Sequence, residues 1–231
     1  MLDKDTKVSK NVYFCAEIQS ALLTKNNLAM KKQVLIILVL LVGFALPALA
    51  QKQVEARIQM ARDRYAMGVQ NIATNKQYEA DEIPAVGYTT VVRKQNWAGS
   101  GPMMDKLEFY YNEIEDDMQP YPVGYELVIV RRTFNISAHK YFEEYVYDAN
   151  GKPLFLFVCY DDFDGVKTEV RGYYDENAQL ISSVCKQADD KGNMKTCEPD
   201  ENMERVFVAA PNHFVAFYAA FQGIYSADYT Y

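Results

Sequence analysis

Histidine is nearly missing from this chain: two occur among 231 residues, His139 and His213, beside a single tryptophan, Trp97, and four cysteines. So small a stock leaves too few ligands for a convincing structural zinc site, which draws several Cys or His from short spacings. No Gly-x-Ser-x-Gly turn is present, which excludes the nucleophile elbow of α/β-hydrolases. A Ser–His–acid triad would have to converge from distant segments. No cofactor or metal is expected, and no catalytic residue is assigned. Positive charge is short as well, with 24 Lys and Arg against 31 Asp and Glu. Nucleic acid and anionic membranes both require basic patches, so neither is an expected partner. The longest apolar run, Val34 to Ala50, is 17 residues with Pro47 inside it, short of the ~20 that a spanning helix needs.

What that run does have is the flanks of an export signal. Met30-Lys31-Lys32 precedes it, and Leu46-Pro47-Ala48-Leu49-Ala50 closes it with small residues at Ala48 and Ala50. This is the layout of a secretory signal peptide cleaved between Ala50 and Gln51. No cysteine follows the apolar core, so a lipid anchor has no attachment point there. Residues 1–29 read as a start-site artefact or disordered extension, residues 30–50 as the signal peptide, and residues 51–231 as a single domain. The expected product is exported, periplasmic or extracellular, with no stable membrane span after cleavage. The first 50 residues hold six of the basic and three of the acidic side chains, so the remainder carries a net charge of about -10.

Cys15 leaves with the leader, and Cys159, Cys185 and Cys197 remain. Export favours disulfides. A hairpin folded about Lys191, within Asp189-Asp190-Lys191-Gly192-Asn193, would set Cys185 opposite Cys197, so this pair is the expected disulfide. Cys159 sits between apolar neighbours and reads as a small buried hydrophobe.

Val54, Ile58, Ala61, Tyr65, Val69 and Ile72 recur at three- and four-residue steps, which predicts an amphipathic helix from Gln53 to about Ala80. Arg57, Arg62 and Arg64 fall on or near its other side, and Gly68 weakens it modestly. Tyr88–Lys94, Leu107–Glu115 and Tyr125–Phe134 are β-branched or aromatic runs and read as strands. Two repeat hairpins and the cysteine hairpin follow, with a final strand near Arg205 to Ala209. Pro211 then opens a very apolar helix through Phe214, Phe217, Tyr218, Phe221 and Ile224. The predicted fold is α+β: an N-terminal amphipathic helix, an antiparallel β-meander of about eight strands and a C-terminal apolar helix, with both helices on one face.

The repeat lies in Tyr141–Lys186. Tyr147-Asp148-Ala149-Asn150-Gly151-Lys152-Pro153-Leu154 is echoed by Tyr174-Asp175-Glu176-Asn177-Ala178-Gln179-Leu180. Asn150-Gly151 is a strong two-residue hairpin signal, because both positions tolerate positive φ. Ala178 resists that geometry, so a looser turn is expected in the second copy. The strand from Leu154 is apolar on both faces and should be central or covered. These motifs resemble the tyrosine-aspartate repeats of large bacterial wrapping proteins and the hairpins of many small exported bacterial proteins of unknown function. The resemblance implies a strand-turn-strand shape and no particular activity.

Asp161, Asp162, Asp164 and Gly165 invite comparison with a calcium loop. With Gly165 at the sixth position, however, Tyr160 and Arg171 occupy the first and twelfth, where carboxylates are needed. The tyrosines, 18 in all, are the remaining candidates. Tyr141, Tyr145 and Tyr147 share one strand face, and Tyr173 and Tyr110 are placed on the same side. Such a row could stack on sugars or receive an extended peptide. The expected function is therefore an exported, non-enzymatic domain that binds a protein, peptide or glycan through this face. Burial of the row under a helix would remove that version. The alternatives are a structural or assembly protein of the cell envelope, favoured by an uncovered sheet edge, and an enzyme of unrecognised type.

Overall fold

Short turns leave each strand no partner but the next, and the sheet is built that way. β1 (Tyr88–Trp97), β2 (Gly101–Ile114), β3 (Gly124–Ile136), β4 (His139–Tyr147), β5 (Pro153–Asp161), β6 (Lys167–Tyr174), β7 (Leu180–Ala188) and β8 (Met194–Cys197) pair antiparallel in strict chain order. The computed structural model describes residues 51–226 apart from Ser100 and Phe163, and apart from the side chains of Trp97 and Ser226. The expected leader and Cys15 lie outside the described residues. Helix α1 is described over residues 51–80, and α2 spans Glu201–Ser226. From Val54 onward the described residues form one compact unit. The architecture is the expected α+β one: helix, eight-stranded meander, helix.

The helices do not share a face. Alternate side chains along the central strands are apolar on both sides, so both sides need cover. Tyr110, Ile129, Val146, Leu154 and Phe155 form one core with Ala61 and Ile72 of α1. Phe109, Val130, Tyr145 and Leu156 form the other with Met203, Ala210, Phe214, Phe217 and Phe221 of α2. The segment expected as a strand near Arg205 to Ala209 is helical, because the apolar stripe of α2 begins at Met203. Asp200 caps the helix, its Oδ1 accepting the N–H of Met203 at 2.8 Å. Pro211 consequently sits inside α2. There it costs about 3 kcal/mol of helix stability, offset by the apolar residues buried before and after it.

One turn closes four successive hairpins. Asp148, Asp162, Asp175 and Asp189 each open it, and each Oδ1 accepts the backbone N–H groups two and four residues on at 2.8–3.0 Å. The residue three on donates its N–H to the aspartate carbonyl and takes positive φ: Gly151 72°, Gly165 78°, Ala178 61°, Gly192 80°. This corrects the two-residue turn expected at Asn150-Gly151, since only Gly151 is left-handed. It also corrects the looser turn expected at Ala178, because the Asp175 carboxylate holds that backbone in the shared shape. The repeat therefore has four copies.

α1 docks through arginines placed seven residues apart. Register shifts leave Val128, Leu154 and Ile181 as extra, bulged residues. Arg64 donates to the carbonyls of Leu127 (3.3 Å) and Tyr147 (3.0 Å), and Arg57 to those of Pro153 (2.7 Å) and Tyr174 (3.2 Å). Each of these residues flanks a register shift. Arg57 also pairs with Asp148 at 2.9 Å, and Arg64 with Glu126. Both arginines thus face the sheet, against the expectation that they lie on or near the far side. Two helical turns rise about 10.5 Å, close to the ~9.6 Å spanned by two strand spacings. Gly68 lets the helix approach: a Cβ there would lie 2.8 Å from Cγ2 of Ile129.

Cys185 stands directly opposite Cys197 in the β7–β8 register, yet both are free thiols, as is Cys159. The expected disulfide is therefore not formed. Cys185 packs into the α2-side core, and burial pushes its thiol up to about 11. Burial also raises Cys197. In both residues burial disfavours the thiolate, the form that enters disulfide chemistry.

Candidate functional site

The α2 face of the sheet carries an aromatic ladder at the end that α2 reaches first. Phe134 of β3, Tyr141 of β4 and Tyr160 of β5 are successive cross-strand partners. The first two rings stack at 4.8 Å with 10° between planes, and the next pair is 5.7 Å apart at 30°. Tyr141 thus has a ring on each side. Beside the ladder opens a cavity of about 370 Å³, bounded across the gap by Asn202, Arg205 and Val206 of α2.

Glu143, two residues along β4 from Tyr141, lines this cavity and is 7% exposed. Its Oε2 accepts the Tyr145 hydroxyl at 2.9 Å and Arg132 Nη1 at 3.3 Å. Arg132 in turn holds Asp105 through two bonds of 2.9 and 3.0 Å. Burial alone would raise the Asp105 carboxyl, but the Arg132 hydrogen bonds and the charges of Arg132 and Arg93 outweigh it and hold the group below its ordinary value. The Tyr145 hydroxyl also lies 2.8 Å from His213 Nδ1. Paired with Arg132, the ionised Glu143 can only accept, so Tyr145 donates to Glu143 and His213 Nδ1–H donates to Tyr145. Burial lowers the His213 pKa despite the opposing Glu143 charge, which favours that neutral ring. Burial likewise raises the Tyr145 hydroxyl far above its ordinary range and the Tyr160 hydroxyl to about 12.

Tyr141, Tyr145 and Tyr147 do share a face, but α2 covers two of them. Tyr145 is 1% and Tyr147 0% exposed, with the rings of Phe214 and Phe217 edge-on to Tyr145 and that of Phe214 edge-on to Tyr147. The exposed row of three is thereby corrected, and Tyr141 alone keeps access to the cavity. Tyr173 and Tyr110 lie on the opposite, α1 side. Phe134, Tyr160 and the buried Glu143 complete the site in their place. The pairing of Phe134 with Tyr141 follows from a hairpin centred between Ser137 and Ala138, a position marked in sequence only by the short polar break between two apolar runs.

His139 lines the same cavity as Glu143, whereas no serine, cysteine or lysine does. Cys159 neighbours Tyr160 on β5 and therefore points to the α1 face, so a Cys159–His pair cannot form with His139 or His213. Burial raises its thiol, consistent with a small hydrophobe. Among the described residues no group of three or more His, Cys, Asp or Glu is placed to hold a metal ion, and no helix is long and apolar enough to cross a membrane. No family model matches the chain, and no curated protein or solved structure matches it.

Proposed function

We propose that this domain acts outside the cytoplasm as a binding module, receiving an extended polypeptide segment of a partner in the α2-side cavity. The observation that carries the reading is the ladder Phe134–Tyr141–Tyr160 meeting a buried, pre-ordered carboxylate at Glu143. The ladder rings stack on one another, so much of the ring face a sugar would stack on is already covered. Backbone N–H groups and basic side chains of a peptide suit the acceptors Glu143, Asp161 and Asp162. The export-signal layout of residues 30–50 supports the location. Selection of a displayed random-peptide library on the protein tests the reading. Enriched peptides should bind Tyr141→Ala at least tenfold more weakly, while Val215→Ser on the exposed side of α2 leaves binding unchanged. Failure to enrich, or equal binding by Tyr141→Ala, would sink it.

A second reading, assembly with other copies or envelope proteins, is favoured by one feature. β1 is an edge strand ten residues long whose Val91 and Val92 are exposed, the condition that invites strand addition. Light scattering decides: a concentration-dependent oligomer lost in Val91→Lys supports this reading, and a monomer at every concentration removes it.

A further inference from the structure

On the other face, where α1 crosses β5 and β6, lies a second cavity of about 300 Å³. Its walls are the rings of Tyr65, Phe155, Phe157 and Tyr173. Tyr65 meets Phe155 edge-on at 5.5 Å, and Phe155 lies 5.1 Å from Tyr173. The charged groups lining it are two guanidiniums, Arg62 and Arg171, with no carboxylate. That is unexpected in a chain of net charge -7.

The carboxylates of this face are already engaged. Glu144, 1% exposed, accepts the Tyr65 hydroxyl and Arg131 Nε, each at 2.8 Å. Glu169 takes Arg171 Nη2 at 3.0 Å. Arg171, stacked over Phe157 at 5.5 Å, thus spends one of its five donors there. Arg62 is exposed on α1 and has no partner among the described residues. Glu169 offsets one of the two guanidinium charges, so the cavity mouth keeps a single net positive charge. The volume equals about ten waters of liquid, enough for a body of one or two fused rings.

We propose that this cavity is a binding site for a small aromatic monocarboxylate, its flat body among the four rings and its carboxylate bridging Arg62 and Arg171. Planar guanidinium forks match a carboxylate through paired N–H donors, and a pocket of this size with few polar groups is of the ligand-binding kind. The site lies across the sheet from the peptide cavity and does not depend on it.

The test is calorimetry with 2-naphthoate and its neutral counterpart 2-naphthylmethanol on protein made from the full-length sequence, with amide NMR shifts to locate binding. Naphthoate should bind at least tenfold more tightly than the alcohol and shift the amides of Ala61, Phe155 and Tyr173. Arg62→Gln and Arg171→Gln should each bring the acid toward the alcohol's affinity. Arg62 is solvent-facing on a helix, so its variant stays folded even if that of Arg171 does not. Equal affinities for acid and alcohol, no binding at millimolar ligand, shifts confined to another face, or an Arg62→Gln variant that binds naphthoate normally would each overturn the proposal.

Discussion

Ala178 carries a conformation that its three counterparts assign to glycine. At φ 61° its Cβ crowds the following carbonyl, a cost of about 1–2 kcal/mol, and the Asp175 carboxylate holds it there through the N–H groups of Asn177 and Gln179. Ala178→Gly should therefore stabilise the protein by about 1 kcal/mol once the entropy of unfolded glycine is subtracted, read as a Tm rise of about 2–4 °C. An unchanged or lowered Tm would show that the turn relaxes at this copy. His213 sets a second expectation at this scale. Its neighbours are Tyr145, Glu143 and Arg132, and burial holds its folded pKa below 6.5. A depressed histidine contributes stability above its unfolded pKa and loses it as pH falls through the folded value. Denaturation midpoints should thus drop below about pH 6.5. His213→Asn, whose amide can still donate to Tyr145, should flatten that part of the profile. The further loss that begins below about pH 4, where the unfolded chain protonates Asp105 while Arg132 still holds the folded carboxylate charged, should persist.

Helix α1 shows propensity and packing at odds. In an exposed helix Gly68→Ala would gain about 1 kcal/mol. Here the new Cβ would sit 2.8 Å from Cγ2 and 3.1 Å from Cβ of Ile129, atoms of a central strand with little room to give. Overpacking of this kind costs about 1–3 kcal/mol, so after the helix gain the substitution should still destabilise the protein, by about 1 kcal/mol, in chemical denaturation. A stabilised variant would mean that α1 lifts away freely. The existence of α1 was legible in its apolar spacing. The work of Arg57 and Arg64 was not, because bulge carbonyls have no side-chain signature to match them to. For α2 the reverse holds: Pro211 is a strong local marker, and it misplaced the helix start because the apolar stripe from Met203 overrides one lost hydrogen bond.

At the scale of the whole molecule the meander was legible because turn aspartates recur every 13 or 14 residues and leave each strand its neighbour as partner. The faces taken by the helices were not, since alternation shows that both faces of a strand are apolar without saying which helix meets which. The same gap hides which tyrosines of the row are covered. Tyr141, Tyr145 and Tyr147 alternate correctly, and only the course of α2 decides that two are core and one lines a cavity. Among the strands, hydrogen-bonded pairing runs only from each one to the next, so on its own the sheet would behave as a linear array that can unzip from either end. The helices remove that freedom. Tyr225 near the end of α2 meets Thr89 on β1, 136 residues away, and Arg57 reaches Tyr174, 117 residues away. Each helix therefore ties links far apart in the array, so the eight strands should melt together in one cooperative transition instead of fraying inward from β8.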